Sequence, residues 1–190
     1  AYHYGSPDIV ESPAEWFIFN GAGTITKFNW EAGRENVVIP WAIGGVPVTE
    51  IGDGAFEDSG ITSVIAPKTV TMIGDSAFRS CGSLASVSFP QAQTIGDYAF
   101  AYCDTLTSVT IPQATSIGDY AFAYCEGLTS VTIPQATSIG VGAFSGCASL
   151  TSVNLPQATS IGDYAFYGCA MLTAIHMGQN APAEAIYVFY

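Results

Sequence analysis

Five cysteines recur every 22 residues and are the clearest candidates for side-chain chemistry: Cys81, Cys103, Cys125, Cys147 and Cys169. Thiols at a regular spacing are able to form disulfides or to hold a metal ion. The odd count means that the five cannot all pair within one chain, and stacked cysteines with parallel Cβ vectors suit the bond poorly. No C-x-x-C spacing is present for chelation. We therefore expect free thiols that fill a buried position, with no disulfide and no metal site.

Aspartates form a second periodic set, which one valine interrupts: Asp53, Asp75, Asp97, Asp119 and Asp163, with Val141 in the gap. Stacked carboxylates repel one another, so each needs a compensating partner. We expect each carboxylate to accept backbone N–H groups at the start of its own turn. Calcium bridging between Asp97 and Asp119 is the alternative, because calcium prefers carboxylate oxygens. Val141 argues against a continuous row of ions.

Groups for catalysis are scarce. The chain has two histidines, His3 and His176, and it lacks the G-x-S-x-G, H-E-x-x-H and phosphate-loop motifs. The regular spacing of the aspartates indicates architecture rather than one tuned pair of carboxylates. We therefore expect no enzymatic activity, no catalytic residue and no cofactor.

These periodic residues belong to a longer repeat, clearest in LTSVTIPQATSIGDYAFAYC at 106–125. Each repeat holds an Ile-Gly pair and, five residues after the Ile, a Phe that follows Ala. The positions are Ile51, Ile73, Ile95, Ile117, Ile139 and Ile161, with Phe56, Phe78, Phe100, Phe122, Phe144 and Phe166. One such unit cannot bury its own apolar side, whereas stacked units can. The sequence predicts a repeat solenoid: a right-handed stack of parallel strands, mainly β with short helical or 3-10 turns.

Within one unit, we place a first strand at 107–111, which Pro112 ends because proline cannot donate to a ladder. A turn leads to a second extended piece at Ser116–Ile117. Gly118 then bends the chain, and Asp119 caps a short helical turn over YAFAY. Tyrosines on these turns either cover them as stacked aromatics or form a contact patch. They are Tyr98, Tyr102, Tyr120, Tyr124, Tyr164 and Tyr167.

Both ends of the chain depart from the repeat. We divide it into a leader and N-terminal cap at 1–50, repeats at 51–177, and a partial repeat or truncated end at 178–190. WFIF and TITKFNW flank the turn-like NGAG, which predicts a β-hairpin. Trp16, Trp30 and Trp41 lie near this end, where they either cap the first rung or line a ligand pocket. The apolar terminus at 183–190 is an exposed edge that invites self-association.

The pattern L-x-x-V-x-I-P, followed by I-G-x-x-A-F and then Cys, resembles the BspA-like class of leucine-rich repeat. Five close copies lie within residues 61–177, and VVIPWAIGGVPVTEIGDGAF at 37–56 resembles the entry segment of that family. The resemblance implies a leucine-rich repeat solenoid in a secreted or cell-surface protein of a host-associated microbe, often one that attaches to host matrix proteins or to other cells. Because folds host unrelated functions, the resemblance is more specific for fold than for function.

The outward-pointing residues of the first strands form the candidate ligand surface, which we expect on the inner, concave side, as in other leucine-rich repeats. They are Ser86, Ser88, Ser108, Thr110, Ser130, Thr132, Ser152, Asn154 and His176. Such a neutral, hydroxyl-rich strip either only keeps the strands soluble or binds a protein or glycan through many weak hydrogen bonds. A regular hydroxyl array also suits ice binding, although the mixture of Ser and Thr weakens that idea.

Charge and hydropathy restrict the partners. The net charge is −12 with four basic residues, which argues against a nucleic-acid surface and against attraction to anionic lipid. No apolar run approaches the roughly 20 residues that span a bilayer, so we expect no membrane insertion. The chain shows no signal peptide or initiator methionine, and we interpret it as a mature or trimmed fragment. Two hypotheses follow: a binding or adhesion module, or a structural spacer or stalk within a larger surface protein.

Overall fold

The computed structural model describes residues 10–179, which fold into short strands joined by turns. One 3-10 helix lies at Ala14–Trp16. In chain order the strands are β1 (Phe17–Phe19), β2 (Thr24–Phe28), β3 (Asn36–Val38), β4 (Ala42–Ile43), β5 (Val46–Pro47), β6 (Glu50–Ile51), β7 (Ser63–Ile65), β8 (Met72–Ile73), β9 (Ser86–Ser88), β10 (Thr94–Ile95), β11 (Ser108–Thr110), β12 (Ser116–Ile117), β13 (Ser130–Thr132), β14 (Ser138–Ile139), β15 (Ser152–Leu155), β16 (Ser160–Ile161) and β17 (Ala174–Met177). Within residues 10–179, no helix has the length and apolar character of a membrane span.

The strands stack into long sheets with one strand per rung, where a rung is one turn of the chain around the stack. The second strands of the repeats form an eight-stranded sheet in the order β1-β2-β6-β8-β10-β12-β14-β16. The first strands form a three-stranded sheet, β3-β7-β9, and a four-stranded sheet, β11-β13-β15-β17. Rungs pair in parallel, whereas β1 and β2 form an antiparallel hairpin. The predicted solenoid with its N-terminal hairpin is therefore confirmed.

Equivalent residues of successive rungs lie directly beside one another. Val109 pairs with Val131 in the four-stranded sheet, and the phenylalanine rings stack along the interior. The centroid of Phe122 lies 5.1 Å from that of Phe100 and 5.4 Å from that of Phe144, and the planes differ by only 3°. All three rings are fully buried. At about 1.5–3 kcal/mol for each buried large side chain, this ladder is a main source of the stability of the stack.

Phenylalanine extends the core at the N-terminal end, and Trp16 packs against it partly buried. Phe28 of the hairpin stacks on Phe56 with ring centroids 4.8 Å apart, and Phe17 packs against both. Trp30 and Trp41 stay 37% and 39% exposed. The strand β2 also pairs in parallel with β6, and β3 pairs with β7. The stack therefore begins within the segment that we assigned to the cap.

The arc that follows each second strand contains no helix among the described residues, so the helical turn expected over YAFAY is absent. It is a run of β-turns, in which Ala123 N–H donates to Tyr120 O at 3.0 Å and Cys125 N–H to Phe122 O at 3.3 Å. The amides that alternate with these, those of Tyr120, Phe122 and Tyr124, donate to the next rung instead. A helix would use those donors internally, so this arrangement lets the arc take part in stacking.

The sheet of first strands is interrupted between β9 and β11. Phe89 holds the position that Ile111 fills one rung later, and its ring packs 5.6 Å from Phe78 and 6.0 Å from Phe100. Val87 of β9 is only half-buried, whereas the equivalent Val109 is fully buried. The larger side chain thus coincides with the point at which the strand ladder breaks.

Candidate functional site

The candidate surface is built on strands β11, β13 and β15, whose side chains alternate between core and solvent. Val109 and Val131 point inward and are buried, which directs their neighbours on the strands outward. Ser108, Thr110 and Ser130 are exposed accordingly, as is Thr132. We call Ser108, Thr110, Ser130 and Thr132 the hydroxyl strip. Ser108 pairs with Ser130 and Thr110 with Thr132 in register, so the strip is two columns of hydroxyls on one face of the sheet.

The hydroxyls of the strip differ from those of the neighbouring threonines in their hydrogen bonds. Within residues 10–179, the side chains of the strip make no hydrogen bond to another protein group. The neighbouring threonines differ: Thr129 Oγ1 donates to Thr107 O at 2.9 Å, and Thr151 Oγ1 donates to Thr129 O at 3.1 Å. Those threonines therefore tie one rung to the next, whereas the strip hydroxyls keep both donor and acceptor capacity.

The other predicted members of the surface lie around this strip or apart from it. Ser86 and Ser88 lie on β9, in the other sheet, and are separated from the strip by the break in the ladder. Ser152 continues the serine column but is half-buried, and Asn154 continues the threonine column next to Thr132. His176 follows Asn154 on the last rung. The predicted strip is thus continuous only from β11 onward.

Polar residues that the sequence reasoning missed lie on the first rungs. Asn36 on β3 pairs with Ser63 on β7, and Asn36 Oδ1 accepts hydrogen bonds from Ser63 Oγ at 2.7 Å and Thr62 Oγ1 at 3.2 Å. The alternation in NVVI at 36–39, which matches SVTI of the later repeats, was the available signal. These groups satisfy one another, so they offer less to a ligand than the strip does.

All five cysteines are free thiols, and each has the same structural role. The thiol donates to the carbonyl oxygen of the preceding rung's phenylalanine: Cys103 Sγ lies 3.2 Å from Phe78 O, and Cys125 Sγ lies 3.1 Å from Phe100 O. Burial raises the pKa of Cys81 and that of Cys169 to about 11. Cys81 and Cys169 therefore stay neutral at ordinary pH and serve as hydrogen-bond donors rather than as nucleophiles.

The aspartate ladder works between rungs, which corrects the expectation that each carboxylate caps its own turn. Asp75 Oδ1 accepts the backbone N–H of Asp97 at 2.8 Å, and Asp119 Oδ1 accepts that of Val141 at 2.7 Å. The same bond to an amide one rung later is made by Asp53, Asp75, Asp97 and Asp119. In residues 10–179, no group of three or more His, Cys, Asp or Glu side chains is placed to hold a metal ion. Among these residues, Asp97 and Asp119 therefore have no third carboxylate, imidazole or thiol group beside them for calcium.

An open cavity of about 570 Å³ lies beside the N-terminal hairpin. Trp30 lines it together with charged side chains that include Lys27, Arg34 and Glu57. Trp16 instead lies under Arg34, whose guanidinium carbon is 5.2 Å from the ring centroid. The tryptophans therefore do not form one shared pocket. The expected edge at 183–190 lies outside the described residues.

Comparison with known families identifies the repeat. The family model described as a BspA type leucine rich repeat region, present in 6 copies, matches residues 49–173 and 115–190. These ranges cover most of the chain. Among curated proteins, the chain has no significant match.

Solved structures show the same architecture. A leucine-rich repeat protein of T. pallidum is 29% identical with a TM-score of 0.80, over 95% of this chain and 91% of that one. A leucine rich cell surface protein of Faecalibacterium prausnitzii is 34% identical with a TM-score of 0.61, and 88% of this chain matches 54% of it. The pneumococcal vaccine antigen PcpA, at 22% identity and a TM-score of 0.68, shares the fold, and 86% of this chain matches 47% of it. The chain thus spans about half the length of the latter two proteins.

Proposed function

The chain belongs to the BspA-type leucine-rich repeat family, and on that premise we propose that it is a secreted or cell-surface module that binds a protein or glycan through the hydroxyl strip. The observation that supports this proposal is the strip itself, whose exposed hydroxyls form two columns and make no side-chain hydrogen bond to other described residues. The similarity to a cell surface protein of F. prausnitzii supports this location.

The hydroxyl strip suits binding better than the eight-stranded sheet of second strands does. A first strand such as β11 presents two exposed hydroxyls, Ser108 and Thr110, on either side of one buried valine. A second strand such as β14 is only two residues long and presents one, Ser138. Parallel strands lie about 4.8 Å apart, so the first strands make a two-dimensional array, whereas the second strands make a single row.

The chemistry of the strip favours a neutral ligand rich in hydrogen-bonding groups. No charged residue lies on the exposed positions of β11 or β13. Each hydroxyl donates one hydrogen bond and accepts others, and each net bond is worth only about 0.5–1.5 kcal/mol. Affinity then requires several rungs at once. Sugar hydroxyls or the polar backbone of an extended protein segment match such a surface.

A matrix-protein and glycan array tests the proposal. The wild-type chain is compared with a variant in which Ser108→Ala, Thr110→Val, Ser130→Ala and Thr132→Val are combined. We expect saturable binding of the wild type to at least one component and its loss in the variant. Absence of any saturable component, or equal binding by both proteins, would contradict the proposal.

A spacer role is the second candidate, and the uniformity of the stack favours it. The second strands from β6 to β16 form one continuous parallel sheet, and the two rungs of the hydroxyl strip carry the same residues. A spacer needs only length and stiffness, which such a ladder supplies. Loss of binding on substitution of the strip would exclude a purely structural role.

A further inference from the structure

Four tyrosines on the turn arcs of two adjacent rungs form a second, different surface, which we call the tyrosine platform: Tyr98, Tyr102, Tyr120 and Tyr124. Tyr98 stacks on Tyr120 and Tyr102 on Tyr124, each with ring centroids 5.1 Å apart. Tyr98, Tyr102 and Tyr124 are 40%, 42% and 45% exposed, whereas Tyr120 is half-buried. Ordered aromatic rings are thus presented to solvent in two parallel columns.

The backbone does not require tyrosine at these positions. All four residues have a positive φ, between 55° and 62°, a conformation that bulky residues rarely adopt. The equivalent positions hold Ser76 and Ser80 one rung earlier, and Gly142 and Gly146 one rung later, also with positive φ. Serine and glycine adopt the same backbone conformation at these positions, so that conformation does not account for the four tyrosines.

The small residues of the following rung shape the end of the platform. A Cβ atom built at Gly146 would lie 2.6 Å from Tyr124 Cδ1, and one at Gly142 would meet the ring of Tyr120. The rings of Tyr120 and Tyr124 thus lie over the next rung, at positions that only glycine leaves open. Both columns end at these glycines.

The charged side chains on the two arcs that carry the platform are all acidic. Arg79, on the preceding rung, pairs with Glu57 at 3.3 Å. Asp97 and Asp119 directly precede the first tyrosine of each arc, while Asp104 and Glu126 follow the second by two residues. All four are exposed. Arg79 is the last basic residue of the chain, so residues 80–190 contain no Lys or Arg to neutralise these groups. On each arc, a cationic partner would therefore meet tyrosine rings with an acidic residue on either side of them in the sequence.

From this arrangement we infer that the tyrosine platform binds a basic polypeptide segment of a partner protein, with arginine side chains as the main contacts. A guanidinium group stacks on aromatic rings and also pairs with carboxylates in a bidentate manner. Both kinds of group lie next to each other here at rung spacing. The platform is separate from the hydroxyl strip in residues and in chemistry, so the inference goes beyond the proposed binding function and does not depend on it.

The test measures the fluorescence anisotropy of a labelled peptide of four arginines separated by glycines, at physiological ionic strength. The platform variant combines Tyr98→Ser, Tyr102→Ser, Tyr120→Ser and Tyr124→Ser, because serine holds the same backbone conformation at Ser76 and Ser80. We expect saturable binding to the wild type and at least tenfold weaker binding to the variant. The smaller change Tyr102→Ser with Tyr124→Ser, expected to weaken binding about threefold, is used if the fourfold variant melts early.

Two further variants separate specific contact from general attraction to an acidic protein. Asp104→Asn with Glu126→Gln removes two charges beside the platform and should weaken binding severalfold. Glu11→Gln with Glu15→Gln removes two charges near the hairpin and should leave binding unchanged, as should the substituted hydroxyl strip. No saturable binding to the wild type, equal binding to the platform variants, or equal weakening by the hairpin variant would overturn the inference.

Discussion

Asp97 Oδ1 accepts the backbone N–H of Asp119, the equivalent residue of the next rung, at 2.7 Å. Asp119 repeats the contact with Val141, again at 2.7 Å. A carboxylate on the surface thus satisfies an amide that would otherwise lack a partner at the bend of the following rung. Because Val141 has no carboxylate, this relay ends there. The repeat therefore uses its most regular acidic position to join rungs.

Removing one of these carboxylates should destabilise the stack. We expect Asp97→Ala to lower the free energy of unfolding by about 1 kcal/mol, since losing a side chain that caps a backbone N–H costs about 0.5–2 kcal/mol. Asp97→Asn should cost less, because the amide oxygen still accepts. Urea denaturation measures both. Asp104→Ala is the matched control, because that exposed side chain has no hydrogen bond within residues 10–179; an equal loss in the control would refute the assignment.

The glycine of each Ile-Gly pair should tolerate no side chain. A Cβ atom at Gly118 would lie 2.5 Å from Asp97 Oδ1 and 2.6 Å from the backbone carbon of Gly96. We expect Gly118→Ala to cost about 1–3 kcal/mol, the usual cost of overpacking, and to lower the melting temperature. Gly82→Ala is the control, because no atom lies within 4 Å of its added Cβ. Similar melting temperatures for the two variants would contradict the close packing described here.

Ionisation of the buried thiols should lower the stability of the protein as the pH rises in the alkaline range. Burial raises the pKa of Cys81 from 9.0 to about 11, so the folded state keeps this thiol neutral at a pH where the unfolded chain ionises it. The stabilisation is therefore complete below pH 9 and is lost as the pH rises toward 11. We expect Cys81 to account for about 1–2 kcal/mol of the loss between pH 8 and pH 10.5, at about 1.4 kcal/mol per pKa unit.

Comparison with Cys81→Ala isolates this contribution from other groups that titrate at high pH. The variant should lose less stability than the wild type between the same two pH values, as measured from urea midpoints. A thiol-reactive dye gives an independent check: in native protein at pH 8, Cys169 should react before the four fully buried cysteines. Parallel loss of stability in variant and wild type would contradict the role of the raised pKa.

The register of the stack was predictable because it depends on spacing alone. Ile117 and Phe122 recur at one interval, and only stacking in that register buries every copy. The hydrogen-bond partner of Asp97 was not predictable in the same way. Periodicity does not reveal whether a carboxylate accepts an amide of its own rung or of the next. The positive φ of Tyr120 was also not predictable from the sequence, since tyrosine rarely adopts that conformation. The prediction of a helical turn over YAFAY was wrong because residues with positive φ interrupt this segment.

The ends of the stack and its irregular rung depended on packing that spacing does not reveal. The size of tryptophan predicts a tryptophan cap. Phe28 continues the phenylalanine ladder at this end, and Trp16 packs edge-on against Phe28. Phe89 replaced an isoleucine in an otherwise regular position, and the sequence showed this as a conservative apolar change. The break in the strand ladder beside it separates Ser88 from Thr110.

The most direct test of binding through the hydroxyl strip is a comparison of dissociation constants. The ligand is the matrix-protein or glycan component that the wild type binds most tightly, and three proteins are compared. They are the wild type, the strip variant at positions 108, 110, 130 and 132, and a control that combines Thr94→Val, Ser138→Ala and Ser160→Ala. The control removes exposed hydroxyls from the eight-stranded sheet instead. We expect at least tenfold weaker binding for the strip variant and an unchanged constant for the control. Equal constants for wild type and strip variant, or a loss shared by the control, would contradict the account.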